Sequence, residues 1–107
     1  MGEGMKIYVA GPMTGIEELN FPAFNAETAR LRALGHEVIN PAEVNPDPKA
    51  DWTDCMVMDI RELLTCEAIV LLPGWEKSKG ARIEHAIAVG SDMHTFSAGS
   101  IGRGEPA

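Results

Sequence analysis

Short apolar runs alternate along the chain with segments in which apolar residues recur at helical spacing. Clusters of β-branched and apolar residues predict three strands and a weaker fourth, at residues 6–10, 36–39, 68–72 and 93–96. Apolar residues at helical spacing predict three helices, over residues 22–34, 51–64 and 80–89. The predicted order of elements is therefore β-α-β-α-β-α-β.

This order predicts the fold class. Strands separated by helices form right-handed crossovers, so the sheet should be parallel with helices on both faces. The third strand is continuously apolar and ends at Pro73-Gly74, as expected of a central strand that is covered on both sides. We expect an α/β protein, a small Rossmann- or flavodoxin-like three-layer sandwich with a four- to five-stranded parallel sheet.

Length and charge limit the classes of function. A chain of 107 residues holds a single domain, with residues 1–4 as a loose leader. Residues 97–107 form a Gly- and Ser-rich tail that is either mobile or packed onto the domain. The net charge of −7 would repel duplex nucleic acid, which excludes a DNA-coating role. A small anion is still compatible with this charge, because a few backbone amides and one or two cations can hold it.

Cysteine and histidine positions argue against a metal site and against a disulfide framework. Cys55 and Cys66 lack metal-ligand spacing, as do the three histidines, so neither a metal nor another cofactor is expected. Two unpaired cysteines fit a reducing cytoplasm. The longest apolar run, residues 68–72, is far shorter than the roughly 20 residues that a membrane helix needs, so no membrane partner is expected.

Candidate substrate-binding residues follow the predicted strands. Ligands of parallel sheets bind beyond the carboxyl ends of the strands, where loops and helix N-termini meet. The residues that reach this edge are Gly11, Pro12 and Met13 after the first strand, Asn40 after the second, and Trp75, Ser78, Gly80 and Arg82 after the third. The last segment can hold a phosphate at a helix N-terminus. Its spacing alone slightly favours an ordinary solvated loop, because it matches no known nucleotide-binding glycine motif.

Two acids and a tyrosine are the candidate catalytic residues. Glu84 lies in the first turn of the third predicted helix, at the edge of its buried face, where it either faces the crevice or merely favours the helix dipole. Asp59 falls within the apolar stripe of the second helix, and it either meets a partner or ligand there or reaches solvent from a flank. Tyr8 lies near the carboxyl end of the first strand, as a partner for a carboxylate or as a core aromatic. Two carboxylates that flank a sugar are the groups that glycosidic bond cleavage needs.

Several long segments of the chain resemble a known family. The chain resembles a small family of mostly phage and bacterial proteins, DUF4406, in three stretches and in their order: KIYVAGPMTG, FPAFNAETARLRALGHEVINPAE and MDIRELLTCEAIVLLPGWEKSKGARIEHAIA. That family is similar to a compact branch of the nucleoside 2-deoxyribosyltransferase superfamily, which includes the 2′-deoxynucleoside 5′-monophosphate N-hydrolases. The most specific part of the resemblance is the layout of Ser78, Gly80 and Glu84.

The resemblance implies a role for each matching residue. Glu84 would be the nucleophile that forms or stabilises a deoxyribosyl intermediate, and Tyr8 would orient its carboxylate. Asp59 would assist the leaving base, Ser78 would bind a 5′-phosphate, and the backbone at Gly11-Pro12 would line the sugar pocket. The implied activity is cleavage of the N-glycosidic bond of a (deoxy)nucleoside or its 5′-monophosphate, by hydrolysis or deoxyribosyl transfer.

Two other functions fit the same residues. A lone glutamate at such a strand end also serves glycohydrolases of NAD or of another nucleotide signal, and a non-catalytic nucleotide-binding accessory protein of a phage is the third alternative. A small nucleoside or nucleotide is the expected partner in each case. A homodimer or higher homo-oligomer is also expected, since a chain this small should bury some of its aromatic residues near loops and helix starts, namely Phe21, Phe24, Trp52 and Trp75.

Overall fold

The computed structural model describes residues 4–45, 47 and 49–102, and within them it contains four strands and four α-helices. The strands are β1 (Lys6–Ala10), β2 (Glu37–Ile39), β3 (Ala68–Leu71) and β4 (His94–Ser97). The helices are α1 (Phe21–Ala33), α2 (Pro41–Val44), α3 (Trp52–Leu63) and α4 (Lys79–Gly90). The four strands and α1, α3 and α4 were predicted from the sequence, whereas α2 was not.

The strands form one parallel sheet with the order β2-β1-β3-β4. β1 pairs with β3 from Ile7 opposite Ala68 to Ala10 opposite Leu71, and every residue of β3 is buried. The continuously apolar strand therefore lies inside the sheet, as predicted, because helices cover both of its faces. These features confirm the predicted α/β class, and they are consistent with a small Rossmann- or flavodoxin-like fold.

The alternation of side chains along β1 divides the core into two halves. Ile7 and Val9 pack on the side of α1. Tyr8 points to the opposite face, where Leu63 of α3 and Ala88 of α4 belong to the same cluster. Because successive side chains of a strand point to opposite faces, the position of Tyr8 in β1 places it in the layer of α3 and α4.

The buried face of α4 differs from the predicted one. The apolar pattern predicts as inward residues Ile83, Ala86, Ile87 and Gly90. Of these, Ile87 is half-buried and the other three are exposed, Ile83 at 36% of its surface. The buried residues are instead Ala81, Glu84 and Ala88. Two alanines allow the helix to lie closer to the sheet than larger side chains would permit. Glu84 consequently lies in the middle of the buried face and not at its edge.

The buried face of α3 is narrower than the predicted apolar stripe. Trp52 and Leu64, near the two ends of the helix, are 41% and 59% exposed. The buried residues are Met56, Asp59 and Leu63, at helical spacing. Asp59 therefore lies on the buried face of α3 and does not reach solvent from its flank.

Three short helical segments occupy the loops beside the sheet: α2, a 3-10 helix before α1 and a 3-10 helix before α4, Trp75–Lys77. α2 follows β2 directly and is too short to show a helical period, which is why the sequence pattern did not predict it. A 3-10 helix, Glu17–Asn20, precedes α1, and its residues Glu18, Leu19 and Asn20 have φ angles of 54°, 53° and 63°. Pro46 and Pro48, which mark the loop after α2 in the sequence, lie outside the described residues.

Residues 98–102 pack onto the domain. Ala98 and Ile101 contact the core on the side of α1. The Glu27 carboxylate accepts a hydrogen bond from the Gly99 amide at 2.9 Å, and Arg30 donates one to the Ile101 carbonyl at 2.7 Å. This part of the tail is therefore packed onto the domain, one of the two expected arrangements. Residues 103–107, like residues 1–3 of the leader, lie outside the described part of the chain.

Of the four aromatic residues expected at an oligomer interface, Trp52 is the exposed one. Phe24 is only 1% exposed and belongs to the core, because α1 presents it to the sheet. Phe21 and Trp75 pack against the two halves of the core. Self-association stays a prediction, and of these aromatic residues Trp52 is the one whose exposure supports it.

Candidate active site

A cleft of about 750 Å³ opens at the carboxyl ends of β1 and β3. Its walls are the loop after β1 (residues 11–15), one side of α3 and residues 77–81 at the start of α4. Ligands of parallel sheets bind at this edge, and clefts of this size hold small organic molecules. Glu84 and Asp59 both line the cleft.

Glu84 is a buried acid held by a tyrosine. Its residue is 5% exposed, and Oε2 accepts a hydrogen bond of 2.7 Å from the Tyr8 hydroxyl. Burial raises the pKa of the Glu84 carboxyl to about 8, the hydrogen bond from Tyr8 opposes this rise, and the charge of Asp59 adds to it. The carboxyl group therefore holds its proton more tightly than an exposed glutamate does.

Tyr8 acts as a hydrogen-bond donor in this pair. Its side chain is fully buried, and burial together with the charges of Glu84 and Asp59 raises the pKa of its hydroxyl well above the usual value. The hydroxyl consequently keeps its proton when Glu84 is ionised, and it donates to the carboxylate. Tyr8 fixes the direction in which the Glu84 side chain points.

Asp59 is a buried acid with one oxygen that no described residue satisfies. It is 8% exposed, and its Oδ1 has no hydrogen-bond partner among the described residues. Burial raises the pKa of the Asp59 carboxyl to about 6. A buried polar atom that lacks a partner costs free energy, and such atoms in native proteins often have a functional explanation. Asp59 lines the cleft as a residue, while Oδ1 itself is closed to solvent, so the carboxyl group stands at the boundary between the cleft and the core.

Ser78 and Gly80 shape the start of α4. The Ser78 hydroxyl oxygen caps the helix by accepting a hydrogen bond from the Ala81 amide at 3.2 Å, and Ser78 also lines the cleft. A Cβ atom at position 80 would lie 3.2 Å from the Met56 sulfur, so the absent side chain lets α4 approach α3 closely. This approach places Glu84 and Asp59 in the same cleft.

The loop after β1 forms the opposite wall. A Cβ atom at position 11 would lie 2.7 Å from the Leu72 Cβ, so only glycine fits between the ends of β1 and β3. The Pro12 carbonyl accepts a hydrogen bond of 2.9 Å from the Asn20 side chain, and this bond ties the loop to the start of α1. Gly11, Pro12 and Met13 all line the cleft.

Three candidate substrate-binding residues do not line the cleft: Asn40, Trp75 and Arg82. Asn40 is buried and caps α2 through the Ala42 amide at 3.0 Å, so its polar atoms are used within the protein. Trp75 contacts the ring of His85 at 4.4 Å between centroids and packs on the core. Arg82 lies on the exposed side of α4, because helical geometry turns it away from Ala81 and Glu84.

The cleft also contains residues that the sequence analysis did not assign to it, among them Trp52, Asn45 and Cys55. Asn45 follows the unpredicted helix α2, and its amide nitrogen donates to the Cys55 sulfur at 2.9 Å. Burial raises the pKa of the Cys55 thiol, so this sulfur is a poor nucleophile at neutral pH. Trp52 is the first residue of α3, and the position of a helix start at the carboxyl edge of a parallel sheet was the signal that could have identified it.

The described residues offer no group of three or more His, Cys, Asp or Glu side chains positioned to hold a metal ion. Over the same part of the chain, no helix combines the length and the apolar character that crossing a membrane requires.

One family model matches this part of the chain. The model describes a domain of unknown function, DUF4406, and it matches residues 5–96, which include the whole cleft and all four helices. A comparison with curated proteins found no match. Since the match covers most of the chain, the protein belongs to the DUF4406 family.

Proposed function

We propose that the protein cleaves the N-glycosidic bond of a (deoxy)nucleoside or its 5′-monophosphate, by hydrolysis or deoxyribosyl transfer, with Glu84 as the nucleophile. The observation that carries this proposal is the burial of two carboxyl groups, Glu84 and Asp59, in one cleft, with the Tyr8 hydroxyl bound to the first. Within the described residues, neither acid is part of an ion pair. Buried acids with raised pKa values in a cleft are typical of catalytic sites.

The proposed reaction has two steps. An ionised Glu84 oxygen attacks C1′ of the sugar, the C1′–N bond breaks, and its electron pair leaves with the base, to which Asp59 transfers a proton. Water or the nitrogen of a second base then attacks C1′, and the bond between the sugar and Glu84 breaks. The proton of the incoming nucleophile passes to Asp59, which restores the site. Tyr8 holds the Glu84 carboxylate in position in both steps.

The start of α4 supports a substrate that carries a phosphate. Ser78 lies at the N-terminus of this helix and lines the cleft together with Lys77 and Lys79. Backbone amides at a helix N-terminus and nearby cations both favour an anion. The resemblance of Ser78 and Glu84 to the matching residues of the nucleoside 2-deoxyribosyltransferase superfamily supports the same class of substrate.

The two raised pKa values predict a bell-shaped dependence of kcat/KM on pH. The mechanism needs one proton shared by the pair, on Asp59, with Glu84 ionised. Because Glu84 has the higher pKa, this form is the minor fraction of the singly protonated pair, and its population still peaks between the two pKa values. Below about pH 6 both carboxyl groups are protonated, and above about pH 8 both are ionised, so activity falls on both sides. Rates measured with one substrate from pH 4.5 to 9.5 would show a maximum near neutrality. The Asp59→Asn variant should lose the alkaline limb, and a flat profile for the native protein would contradict the shared proton.

The proposal is tested by a search for released base. The protein is incubated with deoxynucleosides, their 5′-monophosphates and NAD, and the products are separated by chromatography. Free nucleobase from a deoxynucleoside or its monophosphate is the expected result, and transfer is detected when a second base is added. Release of nicotinamide without any nucleobase would instead favour an NAD glycohydrolase. Absence of any product after many hours at micromolar protein would overturn the catalytic proposal.

A further inference from the structure

Trp52 lies at the mouth of the cleft with a large exposed surface. It is the first residue of α3, it lines the cleft, and it is 41% exposed. The indole belongs to neither half of the core, in contrast to Trp75, which packs against the half that contains Tyr8. The core therefore does not account for a tryptophan at this position.

The indole lies against the start of α4, with a lysine side chain over its ring. The ring atom Cζ2 lies 3.9 Å from the position that a Cβ atom at Gly80 would occupy, so the edge of the ring abuts the start of α4. The Lys79 ammonium lies over the ring, 4.7 Å from its centroid. A lysine at this distance makes a cation–π contact on a flexible side chain, and a planar ligand can replace it.

We propose that the Trp52 indole is the platform on which the base of the substrate stacks, with Lys79 giving up its place over the ring. The identification of the ligand as a nucleoside or nucleotide rests on the proposed function above. Stacking on an aromatic ring accepts any base, because every base has a flat π face. Trp52 is therefore a specificity-determining residue that selects planar heterocycles but distinguishes weakly between purines and pyrimidines.

The two tryptophans of the chain allow a direct test by fluorescence. The Trp75→Phe variant leaves Trp52 as the sole tryptophan, and the matched Trp52→Phe variant leaves Trp75. Both are combined with Glu84→Gln, so that substrates bind without turnover. They are titrated with adenine, thymine, the corresponding deoxynucleosides and 2-deoxyribose 5-phosphate.

Quenching of Trp52 by both bases and both nucleosides is the expected result, with little change on addition of the sugar phosphate. Trp75 emission in the matched variant should fall only by the light that the bases absorb, and this fall is the correction applied to Trp52. If no base quenches Trp52, or if Trp75 is quenched to the same extent, the stacking proposal is wrong.

Kinetics in the Glu84-containing protein separate this inference from the proposed function. Trp52→Ala should raise KM about tenfold or more with kcat changed by no more than about threefold, and Trp52→Phe should restore most of the affinity. Turnover with an unchanged KM in Trp52→Ala would overturn the stacking role and leave the glycosidic activity intact. Quenching without turnover of any substrate would retain the stacking role and refute the activity.

Discussion

Replacing Glu84 with alanine is expected to lower kcat for base release by about a thousandfold or more. The substitution removes the atom that attacks C1′, and loss of a nucleophile abolishes the covalent step. KM should change far less, because the loop after β1 and the start of α4, which form most of the cleft wall, are left in place. Initial rates over a range of substrate concentrations, with the product quantified by chromatography, separate the two parameters.

Two further variants show whether the carboxylate itself is required. Glu84→Gln keeps an oxygen that accepts the hydrogen bond from Tyr8 but has no negative charge, so it should be as inactive as the alanine variant. Glu76→Gln changes an exposed glutamate in the loop before α4 and is the matched control, with activity close to that of the native protein. Formate, a small carboxylate, should partly restore base release in Glu84→Ala, which has room for it, and not in Glu84→Gln. Activity of Glu84→Gln within tenfold of the native rate would exclude Glu84 as the nucleophile.

The strands and the long helices could be predicted because their signals are local. The run AIVLL at residues 68–72 has no polar position, is short and ends at Pro73-Gly74, which together favour a strand covered on both faces. Glycine and proline mark the ends of these elements by their backbone restrictions. In α4, however, the predicted face was wrong, because isoleucine is the more hydrophobic residue whereas the small size of Ala81 and Ala88 decides how closely the helix approaches the sheet.

The positions of Asp59 and Tyr8 could be anticipated for the same physical reason, whereas the central position of Glu84 on the buried face of α4 could not. Asp59 lies three residues after Met56 and four before Leu63, and this helical spacing places it on the buried face of α3. The alternation in β1 directs Tyr8 toward the same layer. The bond between Tyr8 and Glu84, by contrast, joins residues that are 76 positions apart, and no local pattern can establish it.

The candidate substrate-binding residues that do not line the cleft were proposed because they follow a strand or precede Glu84 in the sequence. Asn40 ends a strand at the correct edge of the sheet, but its side chain caps a helix of four residues that has no sequence period of its own. Arg82 is two residues from Glu84 along the chain, which on a helix corresponds to a nearly opposite direction. Proximity in sequence thus indicated which loops adjoin the cleft, while the direction of each side chain depended on the local geometry.

The burial of Glu84 also has a consequence for stability, because the native state opposes its ionisation. Its pKa is about 8 in the folded protein against 4.5 for an unperturbed glutamate, so between these pH values the folded state binds more protons than the unfolded state. The free energy of unfolding should therefore fall as the pH rises from about 4.5 to 8, and the loss is complete above that range. Each tenfold change in proton affinity corresponds to 1.36 kcal/mol, and the difference of about 3.5 between the two pKa values (8 − 4.5) gives a loss of up to about 5 kcal/mol.

Glu84→Gln should remove most of this loss, since glutamine is neutral at every pH and accepts the same hydrogen bond from Tyr8. Urea denaturation is expected to show that this variant has a free energy of unfolding about 3–5 kcal/mol higher than that of the native protein at pH 9 and almost the same at pH 4.5. Asp59→Asn should give a smaller gain that develops between about pH 4 and 6, because the pKa of Asp59 rises only from 3.8 to about 6. The exposed Glu76→Gln should give no pH-dependent difference. A gain in Glu84→Gln that is the same at pH 4.5 and pH 9 would show that ionisation of this buried acid does not destabilise the fold, and the stabilised, inactive protein expected here would then need another cause.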